Sequence, residues 1–384
     1  MDVKSLNFST TGLKGCEAEL GILAQRIVDF GCAPAVSIRV SQRRPEGWAR
    51  SSAAAGRTGR SSATVSTPFD LASVTKPVMA ILATELAASQ VLKLADPIAK
   101  WLPELKPTAF TTRASFESVL AHRSGLPSHR ILFDELHQKR AIYRSRMLQR
   151  AVECAQIEQL ELPRDRVAPA TYSDLGYLVV GAALERAYGR DLDLAVAERV
   201  AEPLESCLGS SRQWRARCSN FQELVAPTET IAWRGGQLRG VVHDENAWAW
   251  AGYGAAGHAG LFGTSLDVAR VGEAMIDSLL GRPSPISRFT ALVTTGYRER
   301  GTLRAGFDGV SVGRSSAGSR ISRLAFGHLG FTGTSIWCDP LNELVLVVLT
   351  NRVCPSRNNS LLPQSRSQIH DWLFDWAVAN KRRS

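Results

Sequence analysis

A serine and a lysine three residues apart open an apolar segment, in the stretch FDLASVTKPVM of residues 69–79. A helix that begins near Leu71 places Ser73 in its first turn and Lys76 one turn later on the same face. The amine can then take the proton of the serine hydroxyl, while the N–H groups at the helix start stabilise the resulting negative charge. This spacing is typical of a serine nucleophile for acyl transfer. A first-turn serine beside a solvated lysine is the alternative interpretation.

Two later segments carry groups that suit the same chemistry. The sequence YSDLGY at residues 172–177 opens a segment with helical spacing that continues to Tyr188. The sequence FGHLGFTGT at residues 326–334 lies on a predicted pair of strands near the end of the chain. Together they offer a phenol, a carboxylate and an imidazole followed by two glycines.

The composition is that of an ordinary globular protein, with 384 residues of which 44% are hydrophobic and 21% charged. The length exceeds the usual size of a single core, so two lobes are expected. No apolar run approaches the ~18–20 residues of a membrane-spanning helix. Met1 to Lys14 shows no signal-peptide pattern, and the seven cysteines form no C-x-x-C pair. We therefore expect free thiols and a cytoplasmic location.

The net charge of +10 arises from 46 basic and 36 acidic residues. These charges are spread along the chain, and no nucleic-acid-binding module is recognisable. We interpret the charge as a contribution to solubility and predict no nucleic-acid partner.

Hydrophobic periodicity predicts a helix over residues 17–30 and a half-buried strand over residues 36–41. A polar segment over residues 43–64 is interpreted as a hairpin or loop, and helical segments dominate from residue 90 to residue 294. Strands return near the end of the chain and precede a terminal helix. These strands are predicted at residues 324–326, 334–338 and 344–350.

These elements predict an α+β fold of the three-layer α/β/α type, in which an antiparallel sheet is flanked by helices and a mostly helical lobe is inserted. Residues 1–90 and 300–384 would form the sheet-containing lobe, and residues 91–299 the helical lobe, within a single domain of residues 1–384.

The order of the three segments resembles that of the serine β-lactamase and penicillin-binding protein superfamily, whose motifs are S-x-x-K, then Y-x-N or S-x-N, then K-T-G or H-x-G. The chain is most similar to class C β-lactamases and their esterase, D-peptidase and amidase relatives. Segments between the motifs are similar as well: LADP at 94–97, HRSGLP at 122–127, HDENA at 243–247 and GHAGLF at 257–262. The resemblance implies a β-lactamase/transpeptidase-like fold from about the first strand to nearly the C-terminus.

The resemblance also implies roles for individual residues. Ser73 would be the acylated nucleophile, and the backbone N–H groups of Ser73 and Phe331 would form the oxyanion hole. Lys76 and Tyr172 would form the proton-transfer pair. Two assignments of the base stay open: Lys76 with its pKa lowered from ~10.4, or Tyr172 beside a charged Lys76. Gly330 would allow the substrate to approach the strand.

Two positions depart from the family pattern. Asp174 stands where many β-lactamases have Asn, and an ionised Asp only accepts hydrogen bonds. It would either hold Lys76 charged or cap the turn that carries Tyr172. His328 replaces the lysine of the third motif, and a neutral imidazole binds a carboxylate less firmly. Both departures predict poor turnover of β-lactams and of D-Ala-D-Ala carboxylates.

Other charged and histidine side chains of the sequence have simpler interpretations. An alternative cation could come from a flexible segment before the third motif, which contains Arg314, Arg320 and Arg323. His243, Asp244 and His258 match no zinc spacing, so no metal is predicted. His122 is interpreted as a buried structural histidine.

We therefore predict a serine hydrolase that forms an acyl-enzyme on Ser73 and hydrolyses a small ester or amide without a metal or cofactor. Asp174, His328, Gly330 and Phe331 are the predicted substrate-binding residues. A peptidoglycan fragment is one candidate substrate, since the resemblance includes D-peptidases and muramoyl-alanine amidases. The alternatives are β-lactamase or D-alanyl-D-alanine carboxypeptidase activity, or a catalytically silent relative that binds a ligand or serves as a scaffold.

Overall fold

The computed structural model of the chain describes residues 13–59, 61–134, 144–155 and 169–382. Its α-helices are α1 (Glu17–Asp29), α2 (Thr75–Ala88), α3 (Ala109–Arg113), α4 (Phe116–Leu120), α5 (Arg144–Glu153), α6 (Asp174–Tyr188), α7 (Leu192–Val196), α8 (Ser211–Arg217), α9 (Phe221–Leu224), α10 (Glu245–Ala251), α11 (Ser265–Leu279), α12 (Arg288–Thr295) and α13 (Leu361–Lys381). Its strands are β1 (Ala35–Arg44), β2 (Gly47–Gly56), β3 (Phe69–Asp70), β4 (Gly209–Ser210), β5 (Thr230–Ile231), β6 (Gly236–Gln237), β7 (Leu261–Gly263), β8 (Asp308–Gly309), β9 (Phe326–Leu329), β10 (Ser335–Asp339) and β11 (Leu344–Thr350).

The main sheet joins the two ends of the chain. Its six strands lie in the order β2-β1-β11-β10-β9-β8, and all neighbours are antiparallel. β1 pairs with β2 as a hairpin on one side and with β11 on the other, where Val36 lies opposite Thr350 and Gln42 opposite Leu344. The predicted antiparallel sheet is confirmed, and β11 spans the residues that its β-branched run predicts.

Helices cover both faces of this sheet. Leu346 and Val348 of β11 pack with apolar residues of α1 and α13, whereas Val345 and Val347 point to the opposite face and join a cluster with residues of α2 and α11. This alternation follows from the two-residue period of a strand. The three-layer α/β/α arrangement is therefore confirmed. The division into two lobes stays a prediction.

A small second sheet positions the segment that precedes the predicted nucleophile. β7 lies between β3 and β4, and the Leu71 N–H donates to the Leu261 carbonyl at 3.0 Å. The hydroxyl of Thr332 donates to the carbonyl of Asp70 at 2.7 Å, and that of Thr334 to the carbonyl of Leu71 at 2.9 Å. Residues 70 and 71 are thus bonded both to β7 and to the turn after β9.

The seven cysteines, all within the described ranges, are free thiols. None of the helices in those ranges combines the length and the apolar character that crossing a bilayer requires.

Candidate active site

Ser73 lies in a single 3₁₀ turn, Ala72–Val74, that leads directly into α2. The residue before it, Ala72, has a φ of +47°, a left-handed conformation that costs free energy for a residue with a Cβ atom. The Asp70 carboxylate maintains this bend because it accepts the Ala72 N–H at 2.9 Å and the His243 N–H at 2.7 Å. The nucleophile therefore stands on a locally strained, hydrogen-bonded turn.

Lys76 is fully buried and donates to three acceptors. Its Nζ lies 2.9 Å from Ser73 Oγ, 2.6 Å from Asp174 Oδ1 and 3.2 Å from the carbonyl oxygen of His258. Three acceptors match the three N–H donors of an ammonium group. Burial lowers the pKa of Lys76, but the neighbouring Asp174 and Tyr172 outweigh burial, and the pKa is raised overall. Lys76 is therefore charged at neutral pH, which agrees with the first role that the sequence suggests for Asp174.

Tyr172 lies against Lys76, whose Nζ is 4.8 Å from the centre of the phenol ring. Burial raises the pKa of the Tyr172 hydroxyl, the charge of Lys76 lowers it and Asp174 raises it again, with a raised value as the result. Tyr172 is therefore a neutral phenol at neutral pH.

His122 supports Tyr172 from behind. Its ring centre lies 4.9 Å from that of Tyr172 and 5.1 Å from that of Tyr177, and its Nδ1 accepts the Ser173 N–H at 3.0 Å. Burial, together with the charge of Lys76, holds the pKa of His122 well below its usual value. His122 is thus a neutral, buried histidine that fixes the turn carrying Tyr172.

The third motif places the His328 ring 6.0 Å from that of Tyr172, centre to centre, and lines the cleft with the turn that follows. The His328 side chain is buried, and its Nδ1 donates to the Leu329 carbonyl at 2.8 Å. Burial and Lys76 lower the pKa of His328 to about 3, so the ring is neutral. We expect His328 to act by positioning Leu329 and not by touching substrate, which differs from its predicted role.

Gly330 and Phe331 follow at the edge of the cleft. A Cβ atom on Gly330 would lie 2.0 Å from Thr334 Oγ1 and 2.6 Å from the Leu71 carbonyl, so the glycine allows the turn to pack on the nucleophile segment. Phe331 is about half exposed, at 51%. Its N–H has no hydrogen-bond acceptor among the residues that the structure describes, which suits the predicted oxyanion hole.

The cleft at Ser73 consists of two compartments, and Ser73, Asp174 and Phe331 line both of them. The arginine compartment, of about 250 Å³, is lined by Ser73, Tyr172, Asp174, Leu329, Gly330, Phe331, Arg352, Pro363 and Arg366. The histidine compartment, of about 340 Å³, is lined by Ala72, Ser73, His129, Asp174, His243, Asp244, Glu245, Ala259, Phe331 and Arg357.

Arg352 and Arg366 are the cations that the sequence analysis missed. Arg352 donates to the main-chain carbonyls of Arg357 and Asn359, at 3.2 and 2.7 Å, and Arg366 to that of Gly330 at 3.1 Å. Neither forms an ion pair with a carboxylate in the described part of the chain, and the buried Nε of Arg352 has no partner there. Burial and the neighbouring Arg352 lower the pKa of Arg366 to about 10.

The three arginines that the sequence suggested lie elsewhere. Arg314 lines a separate groove of about 570 Å³ beside α13, and Arg320 Nε lies 3.7 Å from Asp375. None of Arg314, Arg320 and Arg323 lines either compartment at Ser73. A signal for Arg366 was present in the sequence, because it interrupts the apolar stripe of α13 between Leu362 and Ile369.

Two further histidines form separate pairs with carboxylates. His243 Nε2 lies 2.8 Å from Glu229 Oε2, and His258 Nε2 lies 2.8 Å from Asp244 Oδ1. In the described ranges, no three His, Cys, Asp or Glu side chains come together as a group that could hold a metal ion.

A buried lysine between a serine and a carboxylate, beside a phenol and at the edge of an antiparallel sheet, defines a serine hydrolase of the β-lactamase and penicillin-binding protein superfamily. A model of the Beta-lactamase family matches residues 23–368, so the chain belongs to that family. The resemblance drawn from the three motifs is thereby confirmed.

Named relatives share less than a third of their residues with this chain. An Escherichia coli K12 protein provisionally named D-alanyl-D-alanine carboxypeptidase is 27% identical over 83% of this chain and 78% of its own length. The N-acetylmuramyl-L-alanine amidase of Bacillus subtilis strain 168 is 29% identical over 74% of this chain and 68% of its own. The solved structure of EstCE1, a hydrolase with promiscuous acyltransferase activity, matches with a TM-score of 0.67 at 19% identity, over 93% of this chain and 98% of its own.

Proposed function

We propose that this protein hydrolyses an amide bond through an acyl-enzyme on Ser73, and that the leaving group is an amino acid or short peptide with a free carboxylate. The observation that carries the proposal is the position of Lys76 Nζ, 2.9 Å from Ser73 Oγ and 2.6 Å from Asp174 Oδ1 inside a buried site. A solvated lysine beside a first-turn serine, the alternative interpretation of the motif, would not be buried in this way.

The protonation states favour Tyr172 as a neutral proton relay. Ser73 Oγ attacks the amide carbon while its proton passes to the Tyr172 oxygen, and the phenol proton of Tyr172 passes to the leaving nitrogen. The C–N bond then breaks, which leaves an ester on Ser73 and a free amine. Water adds to this ester and returns a proton to Ser73 by the same route, releasing the acid. The Lys76 ammonium stabilises negative charge on Ser73 Oγ throughout, and the N–H groups of Ser73 and Phe331 stabilise the oxyanion.

The two arginines indicate where the substrate is charged. Arg352 and Arg366 line the same compartment as Tyr172, which must protonate the leaving nitrogen in this mechanism. A carboxylate on the leaving group would therefore lie near two guanidinium groups that have no carboxylate partner in the described ranges. Hydrogen bonds between such charged groups are stronger than neutral ones. This replaces the expectation, drawn from Asp174 and His328, that carboxylate substrates are poor.

The histidine compartment would receive the acyl part of the substrate. The names of two relatives, an amidase and a carboxypeptidase, both describe enzymes that release an amino acid or peptide bearing a carboxylate. These names and the arginine pair support a peptidoglycan fragment as the substrate class.

Covalent labelling of Ser73 tests the nucleophile. A fluorophosphonate probe should add one adduct to the wild-type protein, located on Ser73 by peptide mass spectrometry, and no adduct to Ser73→Ala. Labelling of Ser73→Ala at another residue would exclude the assignment. A folded wild-type protein that takes up no probe would instead support the catalytically silent relative.

A hydrolysis panel tests the substrate class. We expect kcat/KM for muramoyl-L-alanine, or for an acyl-D-Ala-D-Ala peptide, to be at least tenfold higher than for the matched substrate in which the carboxylate of the leaving group is replaced by a neutral amide. p-Nitrophenyl acetate reports the nucleophile without a carboxylate, and nitrocefin reports β-lactamase activity. Equal rates with and without the carboxylate would rule out the proposed role of the arginines.

A further inference from the structure

We propose that Asp244 and His258 form a positioning pair that fixes the third acceptor of Lys76, an inference that rests on the proposed function. The acceptor is the main-chain carbonyl of His258, 3.2 Å from Lys76 Nζ. The ring of the same residue is tied to Asp244 Oδ1 at 2.8 Å through Nε2. Because an ionised carboxylate only accepts, Nε2 carries the proton of this hydrogen bond. His258 thus joins Asp244 to Lys76 through its own main chain.

Asp244 is a fixed anchor because it also caps a helix. Its Oδ1 accepts the Ala247 N–H at 2.7 Å, which makes Asp244 the N-cap of α10. Burial raises the pKa of Asp244, but His258 and the Ala247 N–H outweigh burial and hold the pKa below its usual range. Asp244 is therefore ionised and bound to a helix start.

The loop that carries His258 is located by close packing on both sides. A Cβ atom on Gly257 would lie 1.7 Å from the Tyr177 carbonyl and 2.6 Å from the Gly181 nitrogen, so the loop touches the backbone of α6. Beyond the loop, the Leu261 N–H donates to Thr75 Oγ1 in α2 at 3.3 Å. These contacts fix the ends of the loop.

The orientation of the His258 peptide group needs a separate constraint. Gly257 precedes it, and Gly260, with a φ of +107°, follows two residues later. The His258 carbonyl turns about the ψ of His258 and the φ of Ala259, and the two flanking glycines restrict this segment less than other residues would. The hydrogen bond to Asp244 holds the side chain of the same residue and thereby directs the carbonyl toward Lys76.

Loss of this acceptor has a specific consequence for Lys76. Asp174 and Tyr172 are the charged and titratable partners that raise its pKa, while His122 and His328 beside it are neutral. Without the His258 carbonyl, a fully buried ammonium would lose one of its hydrogen-bond acceptors, which disfavours the charged form. The pKa of Lys76 should therefore fall, and Nζ should be held less firmly at Ser73.

Three substitutions test the pair. His258→Leu removes the ring donor, His258→Gln retains an N–H near the place of Nε2, and Asp244→Asn retains the acceptor for Ala247 without its charge. We expect His258→Leu to lower the acylation rate about tenfold and to move the alkaline limb of its pH profile down by about one unit. His258→Gln should restore most of the acylation rate and most of the position of the alkaline limb. Asp244→Asn should move the alkaline limb to lower pH, as His258→Leu does.

The matched control is His370→Gln. His370 is also a buried histidine, and its ring forms two hydrogen bonds, with Ser335 Oγ and with the Ser316 carbonyl. It should lower the melting temperature and leave the alkaline limb in place. KM for p-nitrophenyl acetate should stay within twofold in His258→Leu, His258→Gln and His370→Gln, because neither histidine lines a compartment at Ser73.

The outcomes separate the inference from the proposed function. Absence of a Ser73 adduct in the wild-type protein would refute the proposed function. The positioning pair would be overturned if the wild-type protein is labelled on Ser73 but folded His258→Leu keeps the wild-type acylation rate and the wild-type alkaline limb. If His258→Leu does not fold, a wild-type alkaline limb in Asp244→Asn would likewise overturn the positioning pair.

Discussion

At the scale of single residues, Asp174 distinguishes this site from the sites of relatives that have Asn at the same place in the motif. It lies 2.6 Å from Lys76 Nζ and is the main charge that raises the pKa of that amine against burial. An Asn at position 174 would keep a hydrogen-bond acceptor but remove this charge. The same three motifs can therefore hold their lysine in different protonation states.

We predict that Asp174→Asn moves the alkaline limb of the kcat/KM profile to lower pH, by about 1–3 units, because an opposite charge is lost beside Lys76. Activity should fall as pH rises through the lowered pKa, since the ammonium then no longer stabilises Ser73 Oγ. The measurement is kcat/KM for p-nitrophenyl acetate from pH 6 to 11. Asp191→Asn, at an exposed helix cap, is the control. A rate that increases as Lys76 loses its proton would assign the base to Lys76.

A second prediction at this scale concerns Tyr172. Tyr172→Phe should lower the acylation rate by about a hundredfold, the low end for a lost proton-transfer group. The ring packing on His122 should survive, so the protein should stay folded. Tyr177→Phe is the matched control, because it removes only a buried hydrogen bond to the Leu120 carbonyl. Stopped-flow acylation rates and circular dichroism of both variants separate catalysis from folding. A wild-type rate in Tyr172→Phe would remove Tyr172 from the relay.

At the scale of elements, the terminal helix contributes to chemistry as well as to the core. α13 packs Ile369, Leu373 and Trp376 against the sheet, and one turn before Ile369 it presents Arg366 to the cleft. The same helix thus packs the C-terminal part of the chain on the sheet and supplies one of the two cations of the arginine compartment.

We predict that Arg366→Gln lowers kcat/KM for a carboxylate-bearing amide about 10- to 100-fold, as expected for loss of a charged hydrogen bond. The change should appear mainly in KM, and p-nitrophenyl acetate should be hydrolysed within twofold of wild type. Arg314→Gln, in the separate groove beside α13, is the control. An equal loss on both substrates would mean that Arg366 maintains the structure and does not bind the carboxylate.

Elements with a strong local pattern were predictable, and those that depend on distant packing were not. β11 and α13 are long and periodic, so their sequences specify them. The two- and three-residue strands β3, β4 and β7 have no period, and only their mutual pairing forms them. The order of motifs predicted that Ser73, Lys76 and Tyr172 lie together, as they do, but Arg352 and Arg366 reach the cleft through packing that no spacing shows. The His258 acceptor is a main-chain carbonyl, which no residue type signals.

At the scale of the whole molecule, three buried histidines link folding to pH. Burial, with smaller contributions from nearby charges, lowers the pKa of His328 to about 3, that of His370 to about 4 and that of His122 well below its usual value. In the unfolded chain each would titrate near ~6.5. Between these values the unfolded chain binds more protons than the folded protein, so the free energy of unfolding decreases as pH falls.

We predict that the free energy of unfolding decreases by about 4 kcal/mol between pH 7.5 and 5.5, from about 1.4 kcal/mol for each of the three histidines. Urea unfolding at the two pH values measures this. His370→Gln should reduce the loss by about a third. The same free energy of unfolding at both pH values would show that the three rings do not exclude protons when folded.

The pairing of β1 with β11 has a consequence for how the protein is made. As the chain leaves the ribosome, Ser73 and Lys76 emerge more than 260 residues before β11, the strand that completes the sheet beside β1. The turn that bonds to Asp70 and Leu71 emerges equally late. A nascent chain that stops at residue 330 therefore contains the nucleophile but lacks Phe331, the carbonyl-binding turn and both cleft arginines. Reactivity at Ser73 should therefore arise only after nearly the whole polypeptide has been synthesised, and a chain that ends at residue 330 should not be labelled by a fluorophosphonate probe.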